Sequence, residues 1–453
     1  MRKLRLSFPA IMALVVVVAG IAILGAWHVI SFGDAGGLDI LFAVMFVSLA
    51  VTLFTAISHR DVLPNDPARL LLAPPTVGIV IPAYNEDPAL MVAGLRSLLV
   101  QTLLPSLVLI VDDGSDVPIG DNPEVQETIT RLQRAGVYAA VIRQENAGKR
   151  HAQARGWLHH ASSQIKPDVW VTIDSDAILE KNAIRTLVAP FQYEDTMSVA
   201  GMIYGMNHRV NLLTRTIELS FVMSFINGRA SDGWAGAVRV NSGALAAYRT
   251  EVIFKNLNRY LTQTFLGEVA TTGDDRALTI FAREMGQTRF QGSAIAYTAH
   301  PVKFSHLIRQ RLRWAKSWYW GTWWLLSRPV GKPEFWFTVA QVFGMVSYLV
   351  VMTTILVMVV VGAVSPWAIP AVFGFSSFMN LVSSIRYVTS GRTDLPVWDR
   401  VLTWLTAPLN TVLFMIVLNP LYYIAAFQLK KNGWGTRSQV EVEVTPAPEP
   451  ALV

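Results

Sequence analysis

The stretch "DVWVTIDSDAIL", residues 168–179, places two carboxylates directly after an apolar run. The β-branched residues in its first half are typical of a strand that is covered on both faces. Asp174 and Asp176 follow that strand, and side chains two residues apart on an extended chain point the same way. Because two crowded carboxylates raise each other's pKa, the pattern predicts a cation or a hydrogen-bond donor beside them.

The composition points to a membrane protein with a soluble domain. The 453-residue chain is 52% hydrophobic and only 15% charged, which is too apolar for an ordinary soluble protein. It contains no cysteine, which excludes disulfides, thiolate catalysis and thiolate metal sites. The net charge of +6 gives no reason to expect nucleic-acid binding, since basic residues beside apolar runs are explained by membrane topology.

Two apolar runs, residues 11–30 and 40–57, open the chain, and each approaches the ~20 residues that span a bilayer. Basic residues precede the first run and follow the second, whereas the connecting loop is acidic. The positive-inside rule therefore predicts two transmembrane helices within residues 1–60, with both outer ends in the cytoplasm. A cleaved signal peptide is the alternative, but the first run is long and the second follows at once.

Residues from about 75 to 300 alternate strand with helix. Short β-branched cores occur in four places, within residues 76–87, 106–116, 138–150 and 168–179. Helical stretches lie between them, at residues 88–101, 123–134 and 149–163. This alternation predicts a mostly parallel sheet with helices on both faces, whose ligand crevice lies beyond the carboxyl ends of the strands.

Polar side chains cluster at those predicted strand ends: Asn85, Glu86, Asp87, Asp112, Asp113, Asn146, Lys149, Arg150, Asp174 and Asp176. One acidic turn is usually a turn or a helix cap, but four in register around one crevice are hard to explain by caps. Acids beside a Lys-Arg pair suit a divalent metal that holds a diphosphate, because hard cations take carboxylate and phosphate oxygens. A Rossmann dinucleotide site is not favoured, since no G-x-G-x-x-G follows the first strand.

Two further motifs follow along the chain. "TTGDDR" contains Asp274 and Asp275, and "RQRLRWAKSWYW" places basic residues among large aromatics. The second motif is typical of a helix at a membrane surface. That interpretation does not account for Gln310, Arg313 and Trp314 together.

Together the motifs resemble those of the processive family-2 glycosyltransferases, which include cellulose, chitin and hyaluronan synthases. That family's aspartate after the second strand, its D-x-D, its (T/G)-(E/D)-D and its Q-x-x-R-W are matched in order by Asp112-Asp113, Asp174/Asp176, Asp274-Asp275 and Gln310/Arg313/Trp314. Five shorter stretches look like the membrane-integrated bacterial hyaluronan synthases: "GKRHAQA", "NLLTR", "TQTFLGE", "GDDRALT" and "KKNGWGTR". The resemblance extends over residues 77–437.

One turn departs from the family. Asn241-Ser242-Gly243-Ala244 stands where the family usually reads Cys-Ser-Gly-Pro. In the family this turn lies near the acceptor sugar, so the resemblance leaves the acceptor and the second donor sugar open.

The resemblance implies a cytoplasmic α/β domain of the GT-A type, Rossmann-like with a mostly parallel sheet, inserted between transmembrane helices. The implied parts are two transmembrane helices over 1–60, the glycosyltransferase domain over 75–300, an amphipathic interface helix with Q-x-x-R-W over 301–330, channel-forming transmembrane helices over 334–429, and a cytoplasmic gating segment with a disordered tail over 430–453.

The resemblance also implies a metal site and a donor. Asp176, helped by Asp174, would bind Mg²⁺ or Mn²⁺, which would hold the diphosphate of a UDP-sugar. Arg313 would place a fixed positive charge at the leaving group, with Gln310 and Trp314 along the acceptor path. The remaining predicted substrate-binding residues are Asp112 and Asp113 at the uracil or ribose, Lys149 on the nucleotide side, Glu86, Ser242 and Gly243 in the crevice, and Trp434 and Arg437 in the gate.

Asp275, with Asp274 beside it, is the predicted general base for the acceptor hydroxyl. A single displacement would invert the anomeric centre, so an α-linked donor would give a β-linked polymer. The alternative is that Asp274 and Asp275 merely cap a helix that begins at Ala277.

The C-terminal region contains two further apolar runs, residues 336–364 and 369–388, and an interrupted stretch over 401–427. Prolines and asparagines interrupt that stretch, and lysines follow it. The positive-inside rule favours a broken hairpin there, with a single span as the alternative.

The leading hypothesis is therefore a multi-pass plasma-membrane enzyme that polymerises UDP-GlcNAc and UDP-GlcA into hyaluronan and exports the growing polysaccharide across the lipid bilayer. Alternatives are a chitin-type synthase that uses UDP-GlcNAc alone, another β-glycan synthase, or a silent glycan channel. The intact Asp176, Asp275 and Arg313 argue against silence. No nucleic acid and no obligatory protein partner is implied. Polymer length, priming, the preferred metal and the oligomeric state stay open.

Overall fold

The computed structural model describes residues 36–63, 74–159, 164–270 and 272–430 of the chain, and within these it has two compact units. The apolar unit comprises the residues up to His59, Leu219–Ala235 and Trp324–Pro420. The sheet unit comprises Arg60–Glu218, Gly236–Trp323 and the residues from Leu421 onward.

The described residues of the sheet unit form ten strands. They are β1 (Val77–Ala83), β2 (Leu107–Asp112), β3 (Tyr138–Arg143), β4 (Val169–Thr172), β5 (Ile178–Leu179), β6 (Thr196–Gly205), β7 (Ala246–Arg249), β8 (Thr264–Phe265), β9 (Glu268–Val269) and β10 (Gln287–Thr298). Eight form one sheet in the order β3-β2-β1-β4-β7-β6-β10-β5, and β8 and β9 form a separate hairpin.

The large sheet is mixed, with most of its strands parallel. Strands β1 to β4 run parallel to one another, as do β6 and β10, whereas β7 and β5 are antiparallel to their neighbours. Every residue of β1, β2 and β4 is buried, which is why these strands are apolar runs without alternation. The predicted α/β fold with a mostly parallel sheet is confirmed.

Helices surround the sheet where the sequence pattern predicts them. In chain order after α1 (Gly36–Ser58), the helices of the sheet unit begin with α2 (Pro88–Leu99), α3 (Pro123–Arg134), α4 (Lys149–His159) and α5 (Ala183–Val188). Asp87 and Asn122 cap α2 and α3 by accepting backbone N–H bonds, and a proline follows each cap. The predicted end of α4, residues 160–163, lies outside the described residues.

The remaining helices are α6 (Leu212–Met223), α7 (Ala230–Trp234), α8 (Thr250–Thr262), α9 (Asp274–Met285), α10 (Phe304–Leu326), α11 (Pro333–Val360), α12 (Ala368–Ser383), α13 (Val397–Trp404), α14 (Ala407–Leu413) and α15 (Asn419–Ala426). In the described part of the chain, three helical segments are long and apolar enough to cross a membrane: Pro333–Val360, Ala368–Gly391 and Val397–Ala426. The predicted span over residues 40–57 coincides with α1, and the one over residues 11–30 lies outside the described residues.

Residues 397–426 form one interrupted helix, where the sequence favoured a broken hairpin. The backbone stays in the right-handed helical region through Leu405, Thr406 and Phe414. The prolines do not reverse the chain because each is the second residue of a helical segment, in α14 and α15, where a missing N–H leaves no helical hydrogen bond unmade.

The segment Leu219–Ala235 belongs to the apolar unit, although it lies within the stretch predicted as the catalytic domain. The Ser231 hydroxyl is 2.7 Å from that of Thr55 in α1. The guanidinium of Arg386 donates to the carbonyl of Ile226 and to the side chain of Asn227. The uncharged, mostly apolar stretch "LSFVMSFI", residues 219–226, is the sequence feature that matches this placement.

Candidate active site

Lys149 joins two of the predicted motifs. Its Nζ lies 2.7 Å from Asp174 Oδ1 and 3.1 Å from Asp274 Oδ2. A Cβ on Gly243 would lie 3.1 Å from the same Nζ, so the Ser242-Gly243 turn passes directly beside this cluster. Lys149 is therefore a cation beside "DSD", and it pairs with Asp174 but not with Asp176.

Asp176 is hydrogen-bonded by a residue of β10 rather than by Lys149. Its Oδ2 accepts a 2.8 Å hydrogen bond from the hydroxyl of Thr298, the last residue of β10. Burial, and then the negative charge of Asp174, raise the pKa of Asp176 to about 6. The negative charge on Asp176 is thus only partly compensated, which is the condition in which a bound cation is favoured.

The donor set fits a hard divalent cation that is shared with a substrate. Among the described residues, no three His, Cys, Asp or Glu side chains come together as a complete metal site. Asp176, with Asp174 near it, offers carboxylate oxygens only. Mg²⁺ is usually held by one or two carboxylates together with substrate phosphates and water, and Mn²⁺ takes the same oxygen ligands.

Asp274 and Asp275 form the first turn of α9, and their environments push their pKa values apart. Burial, and then the charge of Asp274, raise the pKa of Asp275 to about 6. Burial also acts to raise the pKa of Asp274, but the charges of Lys149 and Arg150 outweigh it and lower that pKa. Helix α9 begins at Asp274 rather than at Ala277, with Gly273 at the capping position, and Asp275 Oδ1 accepts a 2.7 Å hydrogen bond from the backbone N–H of Arg276 in the first turn.

Arg150 holds the loop before Asp274. In the sequence it stands out only as part of a Lys-Arg pair. Its guanidinium donates to the carbonyls of Tyr260, Thr272 and Gly273, and to the side chain of Gln263. The guanidinium therefore fixes the backbone from which the two aspartates project.

The helix with Gln310, Arg313 and Trp314 contacts the same loop one turn later. Gly273 has φ +74°, and a Cβ there would lie 2.7 Å from Ser317 of α10. Gln310 and Arg313 are half-buried, and Trp314 is 37% exposed with the Arg311 guanidinium 4.5 Å from its ring centre. Their predicted contacts with leaving group and acceptor stay predictions.

Asp112 and Asp113 both organise loops. Asp112 is fully buried and accepts from the backbone N–H groups of Ser115 and Ile119. Asp113 accepts from the Gln144 side chain and from the N–H groups of Ala147 and Gly148, immediately before Lys149. Their predicted contact with the nucleotide stays a prediction.

The other predicted binding residues lie on loops around this cluster or outside the described residues. Glu86 is half-buried next to Asn85, which adopts φ +50° and hydrogen-bonds Asp116. Ser242 follows Asn241, whose backbone N–H donates to Thr279 and whose side chain donates to Ser198. Trp434 and Arg437 lie outside the described residues.

The family model "Glycosyltransferase like family 2" matches residues 74–317, which include every one of these clustered side chains. The chain belongs to glycosyltransferase family 2. It is thus an enzyme of the glycosyltransferase class, and its GT-A-like sheet is accompanied by three apolar helices C-terminal to it.

Proteins similar to this glycosyltransferase include a hyaluronan synthase and an N-acetylglucosaminyltransferase. It is 32% identical to the hyaluronan synthase of Streptococcus pyogenes over 371 residues, covering 81% of this chain and 84% of that protein. It is 29% identical to an N-acetylglucosaminyltransferase of Neorhizobium galegae over 379 residues, covering 82% and 81%. Among solved structures, the mannosyltransferase PcManGT from Pyrobaculum calidifontis, in complex with GDP-Man and Mn²⁺, aligns over 86% of this chain with a TM-score of 0.49 and 17% identity, a likeness too low to carry an argument about ligands.

The glycosyltransferase therefore brings Lys149, Asp174, Asp274 and Gly243 together. Asp176 lies two residues from Asp174 in the sequence, and Asp275 directly follows Asp274. The sequence did not reveal that Thr298 lies at this site, nor that Arg150 holds the loop before Asp274. Arg150 had a weak signal, its place next to Lys149. Thr298 had none, because it ends a strand that reaches the site only through the sheet order.

Proposed function

We propose that this glycosyltransferase is a processive, inverting, membrane-bound enzyme that polymerises UDP-GlcNAc and UDP-GlcA into hyaluronan and exports it across the plasma membrane. The observation that carries this proposal is the Lys149 ammonium between Asp174 and Asp274, which brings the donor-side and acceptor-side motifs into one cluster. The 32% identity to a hyaluronan synthase over 81% of the chain supports the choice of product.

On the donor side, Asp176 with Asp174 would hold Mg²⁺ or Mn²⁺. When bound, that ion supplies Lewis-acid stabilisation of the charge that grows on the diphosphate. Arg313 would add a fixed positive charge at the leaving group, and Asp112, Asp113, Lys149 and Glu86 would surround the nucleotide.

On the acceptor side, Asp275 would take the proton from the acceptor hydroxyl as that oxygen bonds to the anomeric carbon and the bond from that carbon to UDP breaks. Its raised pKa of about 6 makes its carboxylate a stronger base than an ordinary aspartate, yet leaves it ionised at neutral pH. Asp274, paired with Lys149, would stay ionised throughout. Ser242, Gly243, Gln310 and Trp314 would line the acceptor, and Trp434 and Arg437 would close over the nucleotide.

The apolar helices would serve export. Pro333–Val360, Ala368–Gly391 and Val397–Ala426 are long enough to cross a bilayer. In this proposal they line the path of the growing chain, and the sheet unit lies in the cytoplasm, where nucleotide sugars are made.

A second candidate keeps the mechanism and changes the product to a chitin-type oligomer made from UDP-GlcNAc alone. Two observations favour it: the N-acetylglucosaminyltransferase relative that covers 82% of this chain, and the turn at Asn241 to Ala244 beside Lys149.

The test is UDP release by the purified, detergent-solubilised protein with Mn²⁺ or Mg²⁺. UDP-GlcNAc alone, UDP-GlcA alone and both together are supplied, and the product is sized before and after hyaluronidase. Sustained turnover only with both donors, giving a long hyaluronidase-sensitive polymer, is expected. Sustained turnover with UDP-GlcNAc alone would replace the leading proposal with the second.

A further inference from the structure

A buried acid and histidine join the ends of β6 and β10, and the proposed mechanism uses neither. Glu218 Oε2 lies 2.7 Å from His300 Nε2 and accepts a 2.9 Å hydrogen bond from the backbone N–H of Gly205. Glu218 is completely buried and His300 is 4% exposed. A carboxyl group removed from water is costly unless it is paired and hydrogen-bonded, so these contacts are a condition for Glu218 to lie there.

Further bonds fasten the backbone beyond the same two strands. The Asn207 side chain donates to the carbonyl of His300 at 2.8 Å and accepts from its N–H at 2.7 Å. The N–H of Met206 donates to the carbonyl of Thr298 at 2.9 Å. A Cβ at Gly205 would lie 2.6 Å from Glu218 Oε2, so the strand end is packed directly on this pair.

The strand ends held in this way carry Thr298. It pairs in register with Gly205, and its hydroxyl donates to Asp176 Oδ2 at 2.8 Å. The contacts therefore run without a gap from Glu218, through Gly205 and His300, to Thr298 and then to the carboxylate of Asp176.

We propose that Glu218, His300 and Thr298 are positioning residues, which orient the Asp176 carboxylate toward the divalent cation that it shares with the donor diphosphate. The inference rests on the proposed function, in which Asp176 is the metal ligand. A group that hydrogen-bonds a ligating side chain sets its direction, and losing such a partner typically costs 10–100-fold in metal affinity or activity, so an effect of about 10-fold is expected here.

The experiment measures Mn²⁺ binding directly, by electron paramagnetic resonance of free Mn²⁺ in titrations of the purified full chain with UDP present. Thr298→Val removes the hydroxyl at nearly constant volume, and Thr298→Ser restores it. Glu218→Leu removes the carboxylate that pairs with His300 and accepts from Gly205. Thr128→Val is the matched control, because Thr128 is buried and its hydroxyl donates to the carbonyl of Glu124 in α3.

Thr298→Val and Glu218→Leu are expected to weaken Mn²⁺ binding about 10-fold, while Thr298→Ser and Thr128→Val stay within about twofold of the unmodified protein. The half-saturating Mn²⁺ concentration for UDP release should rise by the same factor in Thr298→Val, with kcat largely recovered at saturating Mn²⁺. A lower kcat at every Mn²⁺ concentration with unchanged Mn²⁺ affinity would mean a merely structural role and overturn the inference. Should Glu218→Leu fail to fold, the comparison of Thr298→Val with Thr298→Ser decides alone.

Asp176→Asn separates this inference from the proposed function. If Asp176→Asn abolishes Mn²⁺ binding while Thr298→Val binds as the unmodified protein does, the positioning role is wrong and the metal assignment stands. If Asp176→Asn binds Mn²⁺ normally, the metal assignment itself is wrong, and the inference is overturned with it.

Discussion

The Lys149 ammonium is shared by the carboxylates of Asp174 and Asp274, and its side chain is only 11% exposed. Removing one partner of a buried pair leaves the other charges uncompensated, which typically costs about 3–5 kcal/mol. Lys149→Met should therefore lower the unfolding temperature and reduce UDP release about 100-fold, the loss typical when one preorganised group that stabilises developing charge is removed. Lys255→Met is the control, because Lys255 pairs with Glu251 on the surface of α8. Equal effects of the two variants would contradict the role given to Lys149.

Asp275→Asn tests the general base. A general base typically contributes ~10²–10⁴-fold, so kcat should fall by that factor while UDP binding with Mn²⁺ is unchanged. Asp121→Asn, at an exposed acid of the sheet unit, should behave as the unmodified protein. Calorimetric UDP binding and UDP release measure the two effects separately, and full activity of Asp275→Asn would remove it from the role.

The pH dependence of turnover follows from the same carboxyl group. Burial and the charge of Asp274 raise the pKa of Asp275 to about 6. Below that pH the group carries a proton and accepts no other, so kcat/KM should rise with pH up to about 6 and then level off. Asp176, whose pKa burial also raises to about 6, should steepen the acid limb. A flat profile down to about pH 4.5 would contradict both shifts.

The raised pKa of Asp275 also determines how the stability of the fold changes with pH. Because the folded state raises the pKa of Asp275, the ionised carboxylate is destabilising above about pH 6, and the penalty is relieved as the pH falls through that value. Asp275→Asn should accordingly raise the unfolding temperature at neutral pH, and the gain should shrink near pH 5. A gain that grows on acidification would show that the sign is wrong.

At the scale of elements, the contact between the loop before α9 and helix α10 depends on a glycine. Gly273 has φ +74°, and a Cβ there would lie 2.7 Å from Ser317. Gly273→Ala should both strain the backbone and push α10 away from Asp274 and Asp275, lowering kcat. Gly136→Ala is the matched control, because Gly136 has φ +86° and nothing within 4 Å of a Cβ, so it should show only the strain, about 1–2 kcal/mol, with activity kept. Comparable activity in both variants would contradict the packing argument.

The elements themselves could largely be predicted, because their signals are local. Apolar runs specify the buried strands β1, β2 and β4, and Asp87 and Asn122 mark helix starts through caps that lie within three residues. The reversed strand β7, inserted between β4 and β6, has no local signal, since its place depends on pairing across the sheet. Over residues 397–426 the structure has the single interrupted helix, which was the alternative to the favoured hairpin, because prolines near the start of a helical segment interrupt it without turning the chain.

The site also combines features that have a local sequence signal with features that depend on long-range contacts. Its carboxylates lie in recognisable motifs, after β4 and at the start of α9, and could be found from the sequence, but the contact between Lys149 and Asp174 joins residues 25 positions apart and is set by the sheet. Thr298, Glu218 and His300 could not be found, because a lone threonine, glutamate or histidine in a sequence does not differ from any other.

At the scale of the whole molecule, the chain without cysteine allows its membrane topology to be tested by single introduced thiols. In the proposed function the sheet unit is cytoplasmic and α11 crosses the bilayer, so the turn between α11 and α12 is expected outside the cell, and Ser365 there is exposed. Ser365→Cys should react with a membrane-impermeant maleimide on intact cells. Asp121→Cys, in the sheet unit, should react only after lysis. The reverse labelling pattern would contradict the predicted orientation.

The single ammonium shared by Asp174 and Asp274 also bears on inheritance. Because the two acids share one cation, the three side chains do not tolerate change one at a time, and the cost of each single substitution depends on the other two. Descendants of this chain should therefore keep the lysine and both acids as a set or lose them as a set, and a mixed set should mark a lineage in which selection on this chemistry has ended.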